Sequence, residues 1–356
     1  MISFRQKITL VACLLGAYSP QIIAQNTPTY GFIEKIPLPT GDGKWDYLKM
    51  DGERERLFVS HFDRVHVIDL TTNKAIGEIT GLKGVHGIGL AKDLNKGYIT
   101  NGTDNTITVF DYNTFKVLQT IPVTGKKADA VMYDKGTKRI FVFNNGSGDA
   151  VAIDAVTDKV IGTVTMGGAP EFAVANEKGS VFNNNEDTNE IFEIDAKNLG
   201  IKNKYSLAPN GVPTGLAYDA STNRLFSVCR KPQTLVVVDA SNGKIVQTLP
   251  IGGGVDAVVY EKDLKLIMTS NGEGNVSIIH QDSPDKYSVV QTLTTKPGLK
   301  TMVHRGTTHR IYLSGADLQA DGKTPVPGTF GVYVYGPSPK QWGSLAFMNA
   351  FADRLT

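Results

Sequence analysis

The chain has 356 residues, of which 41% are hydrophobic and 20% are charged, with a formal net charge of +2. This composition excludes a disordered protein. Because no apolar run of 18 residues follows residue 25, it also excludes a membrane-spanning helix in the rest of the chain. The 37 glycines favour many short strands that are joined by tight turns.

The N-terminus has the pattern of an export signal. Arg5 and Lys7 form a basic region, residues 8–17 form an apolar region, and Ala24 ends a plausible cleavage site. We therefore expect residues 1–24 to be a signal peptide and the protein to be periplasmic or secreted.

Cleavage of the signal would change the charge and the cysteine count. It removes two cationic side chains and no anionic ones, so the mature chain has no net charge and no general electrostatic footprint for nucleic acid. It also removes Cys13, so that Cys229 has no partner for an intrachain disulfide. Cys229 is then either a small buried filler or a thiolate activated by the neighbouring Arg230.

Apolar segments that end in aspartate recur with a period of about 42 residues. The aspartates are Asp69, Asp111, Asp154, Asp195 and Asp239, and two further copies of the segment lie at 276–280 and 332–335. Around each segment the same cycle of four strands repeats, which is typical of a blade of a β-propeller. The sequence therefore predicts one all-β domain at residues 25–336, a ring of seven four-stranded antiparallel blades. The aspartates are expected to accept backbone N–H bonds in the turns that follow them.

The last unit lacks its fourth strand. Its first three strands are predicted at 299–304, 309–314 and 329–335. Residues 30–38 precede the first blade and have the pattern of an outer strand, so we expect them to complete the last blade and close the ring. Residues 337–356 form a C-terminal tail whose apolar residues recur at three- and four-residue steps, which predicts a short amphipathic helix.

The segment Tyr98–Asn101, followed by Asp104–Asp111, resembles the YVTN repeat of YncE-like β-propellers. The resemblance covers essentially all of residues 30–336 and implies the propeller fold. It does not imply one activity, because propellers of this type serve as binding scaffolds, as surface proteins and as relatives of lactonases.

A column of mostly ionisable residues occupies one position of the first strand in each unit. Its members are Asp46, His86, Asp129, Glu171, Thr214, Asp256 and Thr301. Since the first strand of a blade is innermost, the column would surround one mouth of the central channel. Polar residues at the ends of the second strands are expected on the same face; these are His61, Asn101, Asn144, Glu186, Arg230 and Asn271.

Carboxylates and imidazoles that share a small concavity can hold a divalent cation or a polar ligand. We therefore predict a ligand site formed by Asp46, His86, Asp129, Glu171, Asp256, His61, Glu186 and Arg230. The candidate metal ligands are Asp129, Glu171, Asp256 and His86, and the candidate acid–base residues are His86, His61 and Glu171. The alternative interpretation is a solvated lining of the channel without a ligand.

Three functions remain open at this point. The first is an exported monomeric propeller that binds a small molecule, a metal ion or a protein partner at the channel mouth. The second is a metal-assisted hydrolase, lactonase or lyase at the same mouth, and the third is a structural protein of the cell envelope. A divalent metal ion is the cofactor that the first two allow. The long connection at residues 315–328 lies on the same face and is interpreted either as a lid over the mouth or as a disordered surface loop.

Overall fold

The computed structural model describes residues 27–38 and 43–338. The predicted signal peptide at 1–24, and all of the predicted tail helix except residues 337 and 338, lie outside the described residues.

The described residues contain 28 strands, which form seven four-stranded sheets. The first strand is β1 (Tyr30–Pro37). Blade 1 is formed by β2 (Trp45–Asp51), β3 (Arg56–His61), β4 (Arg64–Asp69) and β5 (Lys74–Ile79). Blade 2 is formed by β6 (Val85–Ala91), β7 (Lys96–Asn101), β8 (Thr106–Asp111) and β9 (Val117–Pro122). Blade 3 is formed by β10 (Ala128–Asp134), β11 (Arg139–Asn144), β12 (Asp149–Asp154) and β13 (Lys159–Thr165).

The remaining strands repeat the same order. Blade 4 is formed by β14 (Pro170–Ala175), β15 (Ser180–Asn185), β16 (Glu190–Asp195) and β17 (Ile201–Ser206). Blade 5 is formed by β18 (Gly211–Asp219), β19 (Arg224–Lys231), β20 (Gln233–Asp239) and β21 (Ile245–Pro250). Blade 6 is formed by β22 (Val255–Glu261), β23 (Leu266–Asn271), β24 (Asn275–Ser283) and β25 (Lys286–Thr294). Blade 7 is formed by β26 (Met302–Arg305), β27 (Arg310–Gly315), β28 (Gly331–Pro337) and β1. Two short 3₁₀ turns lie at Lys92–Leu94 and Gly306–Thr308.

Neighbouring blades pack face to face, and the core lies between them. All six residues of β3 are buried, whereas only Ile121 is buried in the outer strand β9. The cluster that joins blades 1 and 7 contains Leu57 and Ile68 from one blade and Val332 and Val334 from the other. The second and third strands of the blades are buried on both faces, which explains apolar runs such as Leu57–Val59 and Leu235–Val238.

The N-terminal strand closes the ring, as predicted. β1 pairs antiparallel with β28 from Tyr30 and Pro337 at one end to Pro37 and Gly331 at the other. Ile36 is 3% exposed, so the closing strand also contributes to the core. The seven-bladed fold and its closure are therefore confirmed, although the inner strand of blade 7 begins three residues later than predicted.

The recurring aspartates hold turns. Asp69 Oδ1 accepts the backbone N–H bonds of Thr71 at 2.7 Å and Thr72 at 3.1 Å. Equivalent turn bonds are accepted by Asp111, Asp154, Asp195 and Asp239. Among the described residues no helix has the length and apolarity that crossing a membrane requires.

Candidate functional site

A β-bulge places each of the first six column residues at the channel mouth. In blade 1, Trp45 pairs with His61 and the next pair is Leu48 with Val59, so Asp46 lies in the irregular stretch between them. The same register shift follows Val85, Ala128, Pro170, Pro213 and Val255. A bulge turns a side chain out of the regular alternation, and here it frees one residue per blade to face the mouth.

Three column residues from three consecutive blades form one compact group. His86 Nδ1 lies 2.6 Å from Asp46 Oδ2 and 3.7 Å from Asp129 Oδ1. One ligand atom from each of the three residues lies within 4.8 Å of the others. Asp129 is 6% exposed, while Asp46 and His86 are half-buried. We call Asp46, His86 and Asp129 the acidic triad.

The neighbouring backbone is shaped to hold the triad. A Cβ at Gly102 would lie 2.7 Å from His86 Cδ2 and 2.8 Å from His86 Nε2, so glycine allows the imidazole to rest directly on the backbone. Thr100 Oγ1 donates to the carbonyl oxygen of Asp129 at 2.6 Å and accepts the N–H of Gly87 at 2.7 Å. The hydroxyl therefore joins the inner strands that carry His86 and Asp129.

Burial and proximity shift the protonation of the triad. Burial acts to lower the pKa of His86, but the hydrogen bond to Asp46 and the charges of Asp129 and Asp46 outweigh it, so the pKa is raised. Burial and the charge of Asp46 raise the pKa of Asp129 to about 6, although His86 opposes this. Asp129 therefore carries its charge at neutral pH against a substantial penalty.

Glu171 lies beside the triad and is held by two neighbours. Asn145 Nδ2 donates to Glu171 Oε1 at 2.9 Å, and the hydroxyl of Tyr47 lies 3.5 Å from Oε2. Burial, then the charges of Asp129 and Glu186, raise the pKa of Glu171 to about 9. Glu171 is therefore a neutral carboxylic acid at pH 7.

Two aromatic rings span the channel just below the mouth. Tyr47 belongs to blade 1 and Phe172 to blade 4, on opposite sides of the ring, and their centroids are 5.5 Å apart. Burial, followed by the charges of Asp129 and Glu171, raises the pKa of Tyr47 well above its usual value. The two rings form a floor beneath the acidic group.

On the other side of the mouth, the acidic side chains form ion pairs with basic ones. Arg230 donates to Asp256 Oδ1 and, at 3.0 Å, to Glu186 Oε1, while Lys300 Nζ lies 2.6 Å from Asp256 Oδ2. Burial raises the pKa of Glu186, although Arg230 opposes this. Burial acts to lower the pKa of Lys300, but the charges of Asp256 and Asp46 raise it. Asp256 is thus compensated by two cations and is a weaker candidate for a metal ligand than the triad.

The two threonines of the column contribute hydroxyls and no charge. Thr214 Oγ1 lies 3.3 Å from the carbonyl oxygen of Val255, and Thr301 Oγ1 lies 3.1 Å from Ser314 Oγ. Both hydroxyls thus serve the packing of the inner strands. The ionisable part of the column is confined to the five other blades.

His61, predicted to be near the site, is directed elsewhere. It is 2% exposed, its Nδ1 lies 3.2 Å from His66 Nε2, and it stacks on Phe330 with centroids 4.0 Å apart. These contacts place it in the packing between blades 1 and 7. In blade 4 the paired end of the second strand is Asn185, so Glu186 lies one position beyond it. In blade 5 the second strand is paired as far as Lys231, and Arg230 lies within its last three residues.

Cys229 and the long connection of blade 7 do not join the acidic group. Burial raises the pKa of Cys229 to about 12, and the side chain is fully buried, which favours the filler interpretation. The connection at 315–328 folds back through a bridge between Leu318 and Pro325. Its Asp317 pairs with Lys296, beside its own blade. Its role as a lid stays a prediction.

Several site residues were not predicted from the sequence. Tyr47 and Phe172 each come directly after a column residue. Four other blades have a small residue at this position, so the two large aromatic residues could have been noticed in the sequence; the small residues are Gly87, Ala130, Gly215 and Ala257. Lys300 precedes Thr301 in a segment where the strand alignment is least regular. Asn145 lies one residue beyond the paired end of β11.

Comparisons with known proteins agree with the fold. A family model described as a domain of unknown function (DUF5074) matches residues 56–248, more than half of the chain. The uncharacterized protein YncE of Salmonella typhi is 24% identical over 223 residues, and that of Salmonella typhimurium (strain LT2) is 23% identical. These matches cover 63% of this chain and 47% of the relatives, so the chain spans about half the length of the curated relatives it matches. They confirm the resemblance to YncE-like propellers.

Solved structures support the architecture alone. The crystal structure of RRP9 WD40 repeats superposes with a TM-score of 0.74 at 8% identity, covering 88% of this chain and 99% of that one. The structure of U3-55K gives a TM-score of 0.73 at 8% identity, covering 86% and 98%. At this identity the likeness carries no information on ligands.

Proposed function

Since the chain belongs to the DUF5074 family, whose description assigns no activity, we propose that it is a binding propeller that holds a divalent metal ion at the channel mouth. The ligands are Asp46, His86 and Asp129. The observation that carries the proposal is the approach of their three ligand atoms, from three separate blades, to within 4.8 Å of one another. Export to the periplasm or the medium is part of the proposal, supported by the pattern of residues 1–24.

The charge balance of the mouth supports a cation on this side. Asp256 contacts both Arg230 and Lys300, whereas Asp129 lies 3.7 Å from His86 Nδ1. Clustered carboxylates are costly when buried unless a cation or hydrogen bonds offset their repulsion. A divalent ion would supply the missing charge.

The donor set indicates which ions to test. Two carboxylates and one imidazole form a mixed oxygen and nitrogen donor set. Such a set suits Zn²⁺ or Mn²⁺ better than Ca²⁺, because Ca²⁺ is bound by oxygen ligands alone. Three protein ligands leave further coordination positions open to water or to a small molecule. The metal ion would therefore be the anchor for a ligand that enters from the mouth.

Direct titration tests the proposal. The chain, stripped with EDTA, is titrated calorimetrically with ZnCl₂ and MnCl₂ at pH 7.5, and we expect one site per chain. Asp129→Asn and His86→Gln should each weaken binding at least about tenfold. Asp104→Asn removes an exposed carboxylate on the same face and should leave it unchanged. Equal affinities in all four proteins would overturn the assignment.

The pH dependence gives an independent check on the same site. A metal ion must displace the proton of His86 and the proton that Asp129 takes up below about pH 6. Affinity should therefore fall between pH 7.5 and 5.5 in the wild type. An affinity that does not change over this range would place the metal elsewhere.

Metal-assisted hydrolysis or elimination is a second candidate function. One observation favours it, namely that Glu171 is a neutral acid beside the triad and could protonate a leaving group. Ester and lactone substrates offered to the Zn²⁺-loaded protein would test it. We expect Glu171→Gln to abolish turnover while Zn²⁺ affinity persists, and an absence of turnover in the wild type would remove this candidate.

A further inference from the structure

A second cavity lies on the channel axis, on the far side of the Tyr47 and Phe172 rings from the triad. Its volume is about 330 Å³, within the range of small-molecule sites. Its walls come from the inner strands of blades 1 to 5 and from Glu177, two residues beyond the end of β14, and they include no member of the acidic triad. We call it the lower chamber, and it is separate from the proposed metal site.

The walls of the lower chamber combine apolar and aromatic side chains with polar groups. Leu48, Ile88, Leu90 and Met132 line it and are buried. Four aromatic side chains complete it: Tyr47, Phe172, Tyr133 and Tyr218. Such walls favour a ligand with an aromatic ring, since aromatic rings contact one another well in offset or edge-to-face arrangements.

Lys49 is the polar feature that distinguishes this chamber. It lines the chamber, and within the described residues its ammonium group has neither a hydrogen bond nor an ion pair. The neighbouring Lys92, in contrast, is paired with Asp51 at 3.1 Å and with Glu53 at 3.2 Å. Burial, and then the charge of Lys92, lower the pKa of Lys49. The other charged residue of the walls, Glu177, is exposed, and among the described residues it forms no ion pair with Lys49.

Two tyrosine hydroxyls of the walls are already engaged. The hydroxyl of Tyr133 donates to Asp93 at 3.0 Å, and that of Tyr218 donates to Asn223 at 2.8 Å. A ligand in the chamber therefore meets the unpaired ammonium group of Lys49, the exposed carboxylate of Glu177 and a set of apolar surfaces. One lysine balances one negative charge, which favours a monoanion over a phosphate dianion.

We propose that the lower chamber binds a small aromatic monocarboxylate, with its carboxylate on the Lys49 ammonium group and its ring against Tyr47 and Phe172. The volume corresponds to roughly ten water molecules, which suits an acid of about ten non-hydrogen atoms. Phenylacetate has this size and charge, and phenylacetamide is its neutral counterpart.

Binding of these two probes tests the proposal. The metal-free chain is titrated with phenylacetate and phenylacetamide, followed by ligand-observed NMR, and we expect saturable binding with the acid at least tenfold tighter. Lys49→Met should abolish this preference. Lys74→Met, which removes an exposed lysine of the same blade, should preserve it. Folding of each variant is checked by circular dichroism.

A second pair of variants separates the two sites. Phe172→Ala should weaken binding of both probes, because the aromatic wall is lost. Asp129→Asn should leave phenylacetate binding intact, since Asp129 does not line the chamber. Loss of phenylacetate binding in Asp129→Asn would move the ligand to the mouth and overturn the proposal. An unchanged preference in Lys49→Met, or an absence of saturable binding at millimolar phenylacetate, would do the same.

Discussion

Replacing Asp129 by asparagine should stabilise the metal-free protein at neutral pH. A pKa raised from 3.8 to about 6 corresponds to about 3 kcal/mol by which the folded state disfavours the ionised carboxylate. Well below pH 3.8 the side chain is protonated in both states, so the penalty is absent. It develops as the pH rises through 3.8 towards 6, and it is fully present above that range. The gain in stability of Asp129→Asn should therefore be about 0.5 kcal/mol at pH 4 and about 3 kcal/mol at pH 7.5.

Thermal unfolding in EDTA at the two pH values measures this difference. At pH 7.5 the melting temperature of Asp129→Asn should exceed that of the wild type by roughly 4 to 5 °C, and at pH 4 the difference should be below about 1 °C. Asp104→Asn, which removes an exposed carboxylate, should differ little from the wild type at either pH. If Asp129→Asn were no more stable than the wild type at pH 7.5, the folded state would not disfavour the ionised carboxylate of Asp129. The electrostatic reason for a cation at the mouth would then disappear.

Three further outcomes follow from the packing. Gly102→Ala should weaken Zn²⁺ binding at least about tenfold, because the added methyl group displaces the His86 ring, and calorimetric titration would show this without any change to a ligand atom. Ile36→Ala should lower the free energy of unfolding by 2–5 kcal/mol in chemical denaturation, whereas Phe32→Ala on the same strand, where the side chain is 59% exposed, should cost far less. Cys229 should react with a soluble thiol reagent only under denaturing conditions, because burial keeps it protonated; rapid labelling of the folded protein would restore the thiolate interpretation.

The fold could be predicted because the information for each blade is local. The turn that follows Asp69 is held by that residue's own carboxylate, and the same chemistry recurs in blades 2 to 5. Closure could be predicted by counting strands, since a blade with three strands leaves an edge and residues 30–38 supply the fourth. The start of β26 was misplaced because its sequence enters the strand through an irregular segment.

The candidate site could be predicted only in part. The column was found because one strand position repeats in every unit, which brought Asp46, His86 and Asp129 together. The contact of Tyr47 with Phe172 depends on side-chain length across the channel, between blades that share no strand pairing. The position of His61 depends on the ring of Phe330, a residue that follows a long connection of no regular pattern.

The pairing of the first strand with the last has a consequence for the order of synthesis. Tyr30 pairs with Pro337, so the two partners leave the ribosome about 300 residues apart, a delay of roughly 15 to 60 s. During this interval β1 is a strand without a partner, and an unpaired edge is a site of aggregation. The charged pair Glu34 and Lys35 in its middle and Pro37 at its end discourage pairing with another chain. The yield of closed rings should therefore depend on how long the nascent chain is kept apart from its neighbours.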